Sequence, residues 1–255
     1  MFVVFAAAAV LWSLLLIGAR RRVRIAASFV VVAAAIASIA LDVRAMQRAA
    51  RARRSDVRIR IVRRGGWWQL EYARGGTAFV TANEMHVPAG TAVALSWSGL
   101  PAPSIGGADC LPSGDDRCTL VAADAGAATF VGLWPPRWQR LPIVAESPAR
   151  FDEWLRNEAE PSRGSTDGAA LFASAGCSYC HVVRGQVVEA SVAAPDLTHF
   201  ASRRTIAATE LPNRRGFLDG WIVHSAALKR GSGMPDNRLD PTVLRGVIAY
   251  LESLR

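Results

Sequence analysis

Hydrophobic and polar positions alternate on three different periods along this chain. Residues 1–19, with Phe2, Leu11, Trp12, Leu14 and Ile17 among them, carry no charge and are long enough to cross a bilayer. After Arg20, Arg21, Arg22 and Arg24 a second apolar run, 25–41, is just long enough to do the same. Neither a basic stretch ahead of the first run nor a small-residue cleavage site follows the pattern of a plain signal peptide. The two runs predict a transmembrane hairpin over 1–43, followed by a basic connector over 44–56.

From Val57 the period shortens to two. Val57, Ile59 and Ile61 alternate with arginines, predicting a strand with one basic face. Further strands are predicted at 67–72, 77–80, 91–98, 118–123, 129–133 and 141–144. Gly75-Gly76, Pro88-Ala89-Gly90 and Pro112-Ser113-Gly114 serve as turns between them. This spacing predicts a small β-sandwich over 57–160. It closes with a helix that starts at Ser147 as N-cap, with Pro148 in the first turn.

Residues 161–167 read as a polar linker. Beyond them the period becomes helical: a small-residue helix at 168–175, and a closing helix capped by Asp240-Pro241. That last helix puts Val243, Leu244, Val247, Ile248, Leu251 and Leu254 on one stripe. The fold class is therefore multidomain: an N-terminal α-hairpin, a β-sandwich and an all-α domain over 168–255.

The net charge of +9 alters little once it is located. Residues 1–64 hold thirteen arginines against Asp42 and Asp56, a net of +11, so the rest of the chain sums to −2. The basicity flanks the apolar runs and forms no stripe with interleaved aromatics, which excludes a nucleic-acid face. It suits contact with a lipid membrane or a partner subunit.

The chemistry concentrates in Cys177-Ser178-Tyr179-Cys180-His181, the C-x-x-C-H spacing of c-type haem attachment. Cys177 and Cys180 would form thioethers to one haem c, and His181 would ligate the iron. A zinc half-site or redox dithiol is the competing reading, but no second cysteine pair with zinc spacing follows. Met234, in a Gly-Ser-Gly-Met-Pro loop, is the candidate sixth ligand, with His199 and His224 as rivals. Arg203 and Arg204 are candidate contacts for haem propionates, or else a solvated pair. His86 reads as a hydrogen-bonding residue in a strand and turn. Cys110 and Cys118 flank a turn-rich loop and are a candidate disulfide, with a new metal site including His86 as the alternative.

The order of hairpin, β-domain and haem domain resembles subunit II of haem-copper oxygen reductases in the form fused to a cytochrome c. Several segments carry the likeness: residues 67–72 resemble the family's aromatic strand, 82–90 its A-N-E-L-H-x-P-x-G segment, and 151–155 its closing helix. In the haem domain, 194–199, 202–204, 211–213, 233–235 and 250–254 are similar to the fused cytochrome. The resemblance implies a cupredoxin-like β-domain. The family's dinuclear copper centre needs thiol, imidazole and thioether ligands, yet residues 99–105 and 130–141 hold none of these, and Pro103 stands about where the loop His belongs. No such copper (CuA) centre is therefore expected. Gly66 occupies the place of a Trp implicated in electron transfer.

The resemblance further implies an electron-transfer subunit of a terminal oxidase. Subunit I and other membrane subunits would be its partners, and cytochrome c or another periplasmic protein its donor. Positive-inside bias gives conflicting orientations, because arginines follow both apolar runs. Haem c attachment on the outer face of a bacterial membrane favours soluble domains on the periplasmic side of the inner membrane. The rivals are a nitric oxide reductase-like complex and a stand-alone redox tether or haem sensor.

Overall fold

The computed structural model describes residues 21–52, 56–98, 104–105, 108–122, 129–134, 139–186 and 193–255. The chain divides between Arg48 and Ala49 into two compact units. Helix α1 (Arg21–Ala52) runs unbroken for 32 residues, so the second apolar run and most of the basic connector form one helix. Phe29, Val30, Ile36, Ile39 and Leu41 are exposed on it, and Phe29 to Val32 alone sweep most of its circumference. Among the described residues no helix is long and apolar enough to cross a membrane. The first half of the expected hairpin, 1–19, lies outside the described residues.

In the second unit the period-two pattern becomes two sheets. Strands β1 (Arg58–Arg64), β2 (Trp67–Arg74), β3 (Thr77–Ala82), β5 (Ala92–Trp97), β7 (Ala108–Gly114) and β8 (Arg117–Ala122) form one sheet in the order β3-β2-β1-β5-β8-β7. Strands β4 (Met85–Pro88), β6 (Ser104–Ile105), β9 (Thr129–Trp134) and β10 (Gln139–Glu146) form the other, ordered β4-β10-β9-β6. Pairing is antiparallel except at β1 with β5 and β10 with β4.

Alternation decides which face is dry. Val57, Ile59 and Ile61 are buried while Arg58 and Arg60 stay in solvent, as the sequence predicts. Trp68, Leu70 and Leu95 from the larger sheet share one apolar core with Met85, Leu141 and Ile143 from the smaller. Trp68 also ties the sheets together, because its indole N–H donates to the Arg140 carbonyl at 3.0 Å. The chain turns back after β3 at Asn83, whose φ of 66° is left-handed. Its Oδ1 accepts from the Trp68 amide at 2.9 Å, and its own amide donates to the Trp68 carbonyl at 3.0 Å, fixing it against β2.

The sequence reading missed β4, β6 and β7, which are short or interrupted by proline. Strands β7 and β8 meet across a turn at Asp115-Asp116. There Cys110 and Cys118 are joined by a disulfide with Cα atoms 5.6 Å apart, on the same face of the ladder and two residues out of register. Helix α2 (Pro148–Ala159) follows β10 and buries Phe151, Leu155 and Glu158. Ser147 stands at its N-cap but makes no side-chain cap bond. The first turn instead closes on the Ser147 backbone carbonyl, with proline supplying the preset φ.

Residues 161–167 are not the free linker the composition suggested. Ser162 is buried and its amide donates to the Arg184 carbonyl. A Cβ on Gly164 would lie 2.7 Å from both Tyr250 and Leu254. Helices α3 (Thr166–Ser174), α4 (Arg215–Val223), α5 (Ser225–Leu228) and α6 (Pro241–Ser253) follow, with a small ladder of β11 (Thr205–Ile206) and β12 (Leu211–Pro212). Helix α6 begins as predicted: the Asp240 carboxylate accepts from the Thr242 amide at 2.7 Å. Val247, Ile248, Leu251 and Leu254 of the expected stripe are buried, and Val243 and Leu244 half-buried.

Helices α3 and α6 approach through reciprocal glycines. A Cβ on Gly168 would sit 2.6 Å from Tyr250 Cδ2, and one on Gly246 2.6 Å from Leu171 Cδ1. Gly168→Ala should therefore lower the stability of this region by about 1–3 kcal/mol, the usual cost of forcing atoms into a filled crossing. Gly216→Ala, in a helix where a Cβ meets nothing within 4 Å, should be neutral or stabilising by up to about 1 kcal/mol. Urea unfolding midpoints of the two variants check the opposite signs.

Candidate functional site

The C-x-x-C-H motif follows directly from α3. Gly176 takes a φ of 80°, a left-handed bend that ends the helix and turns the chain into a single 3₁₀ turn, Cys177–Tyr179. The turn closes with the His181 amide on the Cys177 carbonyl at 3.0 Å. Cys180 is exposed, while burial pushes the Cys177 thiol up to about 11, so it stays protonated at neutral pH until it is bonded.

His181 is fixed by a single contact. Its Nδ1 lies 2.8 Å from the carbonyl oxygen of Pro195, which can only accept, so Nδ1 carries the proton. The lone pair is then on Nε2, the tautomer a metal ligand needs. Burial lowers the proton affinity of the ring below the ordinary imidazole value. The Pro195 carbonyl opposes this, and nearby Arg203 reinforces it.

Met234 and Cys177 both pack, half-buried, at the margin of the apolar cluster formed by Phe172, Ile222, Val247 and Leu251. Leu171, Trp221 and Leu244 stand half-buried at the same margin. A flat apolar group laid there would complete their burial, so thiols, imidazole, thioether and apolar margin together fit a covalently attached haem. The Met234 loop is tied from behind. Ser225, fully buried, donates to the Met234 carbonyl at 2.6 Å, and the Met234 amide donates to Ser232 Oγ at 3.1 Å.

Of the rival histidines, His199 is buried with Nε2 2.9 Å from the Glu160 carbonyl. His224 is exposed, and its backbone amide ends α4 on the Gly220 carbonyl. Arg203 donates to the Asp196 carbonyl, one residue beyond the carbonyl that holds His181, while its buried Nε has no hydrogen-bond partner in the protein. Arg204 engages through its backbone amide, 3.1 Å from Glu84 Oε2.

That last bond joins the helical region to the β-domain along a polar seam. Glu84 splits its carboxylate, because its other oxygen lies 3.0 Å from His86 Nε2. His86 stacks on Trp154 with ring centres 4.3 Å apart, and its Nδ1 stands 3.4 Å from Glu146 without the alignment of a hydrogen bond. His86 is thus held between two carboxylates, a hydrogen-bonding residue as the sequence predicts. Burial disfavours its charged form, yet Glu146 and Glu84 outweigh that and raise its proton affinity above the usual value.

Arg184 donates to the carbonyls of Glu158 and Ala159, closing the C-terminus of α2, and lies 5.9 Å over the Phe79 ring. Lys229 Nζ donates to the carbonyls of Gly66 at 2.9 Å and Ala207 at 3.0 Å. Sequence reasoning missed Arg184, Lys229, Ser225 and Glu146. Each acts on a backbone carbonyl or on a side chain far along the chain, which no local spacing encodes. Among the described residues no group of three His, Cys, Asp or Glu could hold a metal ion, and residues 99–103 and 135–138 of the compared copper loops lie outside those described.

Residues 165–255 match the family model described as Cytochrome c, so the C-terminal part of the chain is a cytochrome c domain, which carries covalently bound haem c and serves electron transfer. No curated protein matches the chain.

Removing the Ser225 hydroxyl leaves the Met234 carbonyl short of a donor, while Asp236 Oδ1 keeps the Ala226 amide. Ser225→Ala should cost about 1–3 kcal/mol. It should also reduce the fraction of methionine-ligated ferric iron, read by its absorption spectrum against Ser232→Ala.

Proposed function

We propose, from the cytochrome c domain at residues 165–255, that the chain is the membrane-anchored electron-transfer subunit of a terminal haem-copper oxidase, related to subunit II and lacking the dinuclear copper centre. The observation that carries the electron-transfer part is the His181 tautomer: Nδ1 is committed to the Pro195 carbonyl, leaving Nε2 for iron. A haem c would supply a one-electron Fe(III)/Fe(II) couple.

The chain's residues do the rest. Cys177 and Cys180 would anchor the group covalently, and His181 Nε2 and the Met234 sulfur would be its iron ligands. A thioether ligand favours the reduced state and raises the potential into the range of respiratory carriers. The apolar margin around Phe172, Ile222 and Leu251 would shield one side of the group from water, a burial that tunes its potential. Arg203, whose charge reaches His181, remains the candidate contact for a propionate. Tyr179, 79% exposed inside the motif, marks a surface where a donor or acceptor approaches.

The oxidase context rests on the two-sheet β-domain between an apolar N-terminus and the cytochrome domain, and on the segments that resemble subunit II. Anchoring rests on the uncharged residues 1–19 and the exposed apolar circumference of α1. On this reading the soluble domains face the outer side of a bacterial inner membrane. Subunit I of the oxidase is the acceptor and a periplasmic cytochrome c the donor. The proposed limits are an apolar anchor within 1–43, a basic segment 44–56 that continues α1 through Ala52, a cupredoxin-like domain 57–160, a short tie 161–167 and a cytochrome domain 168–255.

Tagged chain extracted in mild detergent should carry one haem c and no copper of its own, and should bring down a polytopic haem-copper subunit. Met234→Ala should retain covalent haem while its midpoint potential drops, whereas Cys177→Ala with Cys180→Ala should abolish covalent attachment. Haem c without any polytopic partner would reject the oxidase context. Turnover of nitric oxide in place of oxygen by the complex would favour the reductase.

A further inference from the structure

The seam between the β-domain and the cytochrome domain contains more ionisable chemistry than a docking contact requires. Facing His86 are Glu84 ahead of β4, Glu146 on β10, and Tyr72 on β2, whose hydroxyl donates to the His86 carbonyl at 2.9 Å and accepts from its amide at 2.8 Å. Helix α2 contributes Glu158 and, acting on Glu146, Arg150. The cytochrome domain contributes His199, Arg203 and the Arg204 amide. Between them lies a cavity of about 10 Å³, lined by His86, Glu84, Glu158, His199 and Arg203. That is room for roughly one water, and a buried water needs two to four polar partners. His86 Nδ1 and Arg203 Nε are both buried and lack hydrogen-bond partners in the protein.

This cluster connects to the iron ligand by short steps. Glu84 holds His86 with one oxygen and the Arg204 amide with the other. Neighbouring Arg203 donates to the Asp196 carbonyl, and the adjacent Pro195 carbonyl fixes His181. Arg203 lies close enough to His181 for its charge to be felt there. Glu84 and His86 are buried and Arg203, Asp196 and His181 half-buried, so a unit change of charge at one end is screened less at the other than it would be in water.

We infer that His86 is a redox-linked proton site: it takes one proton from bulk water, through the one-water cavity, when an electron arrives on the haem held by His181, and returns it when the electron leaves. The inference rests on the electron-carrier reading above. The balance is one electron from the donor protein and one proton from solvent on reduction, with both given up on oxidation. The driving force is electrostatic: reduction removes one positive charge from the haem, and a proton on His86 restores it.

The sign follows from the surroundings of His86. Its two carboxylates set its proton affinity above the ordinary imidazole value, so the coupling window lies on the alkaline side of about pH 6.5. Within the window the potential falls as pH rises, and outside it the contribution is flat. The stability His86 lends the seam is complete below about pH 6.5 and is lost as pH rises through its raised value.

The test is spectroelectrochemistry on the full haem-loaded chain in detergent between about pH 5 and 10, spanning the imidazole range. Histidine-selective NMR of the ferric and ferrous forms accompanies it. Wild type should show a pH-dependent potential in that window, with proton affinity of His86 rising a few-fold on reduction, the order expected for one charge across a partly buried interior. His86→Gln, which keeps a donor for Glu84, should flatten the window without changing the iron ligands. Glu146→Gln should move the window to lower pH, an outcome that holds even if the glutamine at 86 packs poorly. A wild-type pH dependence retained in both variants, or one His86 titration midpoint for both oxidation states, overturns the inference alone. A chain that carries no haem c overturns the carrier reading and this inference with it.

Discussion

The carboxylate of Glu84 is removed from water and divided between two partners, and the arrangement of the second unit depends on that division. A buried carboxylate is costly unless its oxygens are matched by donors. One oxygen faces the imidazole of His86 inside the β-domain, and the other accepts the backbone amide of Arg204, 120 residues later in the cytochrome domain. Neither domain satisfies Glu84 alone. Docking therefore answers a hydrogen-bonding requirement of the β-domain.

The neighbouring contacts share this character. His199 meets the Glu160 carbonyl, Arg184 caps α2, and Lys229 reaches the Gly66 carbonyl at the β1–β2 turn. Such contacts are directional and tolerate little sliding, so they set an orientation. The cytochrome domain's interior relies on a different device, the close crossing of α3 and α6 at Gly168 and Gly246. One consequence is a division of labour: packing at the glycines positions the apolar margin near Cys177, while the polar seam positions the loop that carries Pro195, Asp196 and Arg203.

Much of this was legible in the sequence, and the parts that were not share a cause. Period-two alternation at Val57, Ile59 and Ile61, the Asp240-Pro241 cap and the stripe through Val247, Ile248 and Leu251 are local patterns, and local patterns translate directly into elements. Cys177, Cys180 and His181 were legible because the chemistry itself demands adjacency. Strands β4, β6 and β7 were not, since Met85–Pro88 and Ser104–Ile105 are too short to show a period and β7 carries a proline. The tie at 161–167 looked like a linker because Gly164 and Ser162 are small and polar, yet smallness is what lets that segment pack on Tyr250 and Leu254. His86 was recognised as a hydrogen-bonding residue, but Glu146 lies sixty positions away and only the β10–β4 pairing brings it alongside.

The disulfide between Cys110 and Cys118 has a consequence for how the molecule is made. Four thiols allow three ways of forming two bridges, and Cys177 with Cys180, only two residues apart between them, is a ready competitor for oxidation. If Cys177 and Cys180 take haem c as proposed, one pair has to be oxidised while the other stays reduced long enough to react with vinyl carbons. The β7–β8 hairpin holds its own two sulfurs together, which leaves Cys177 and Cys180 as the free thiols.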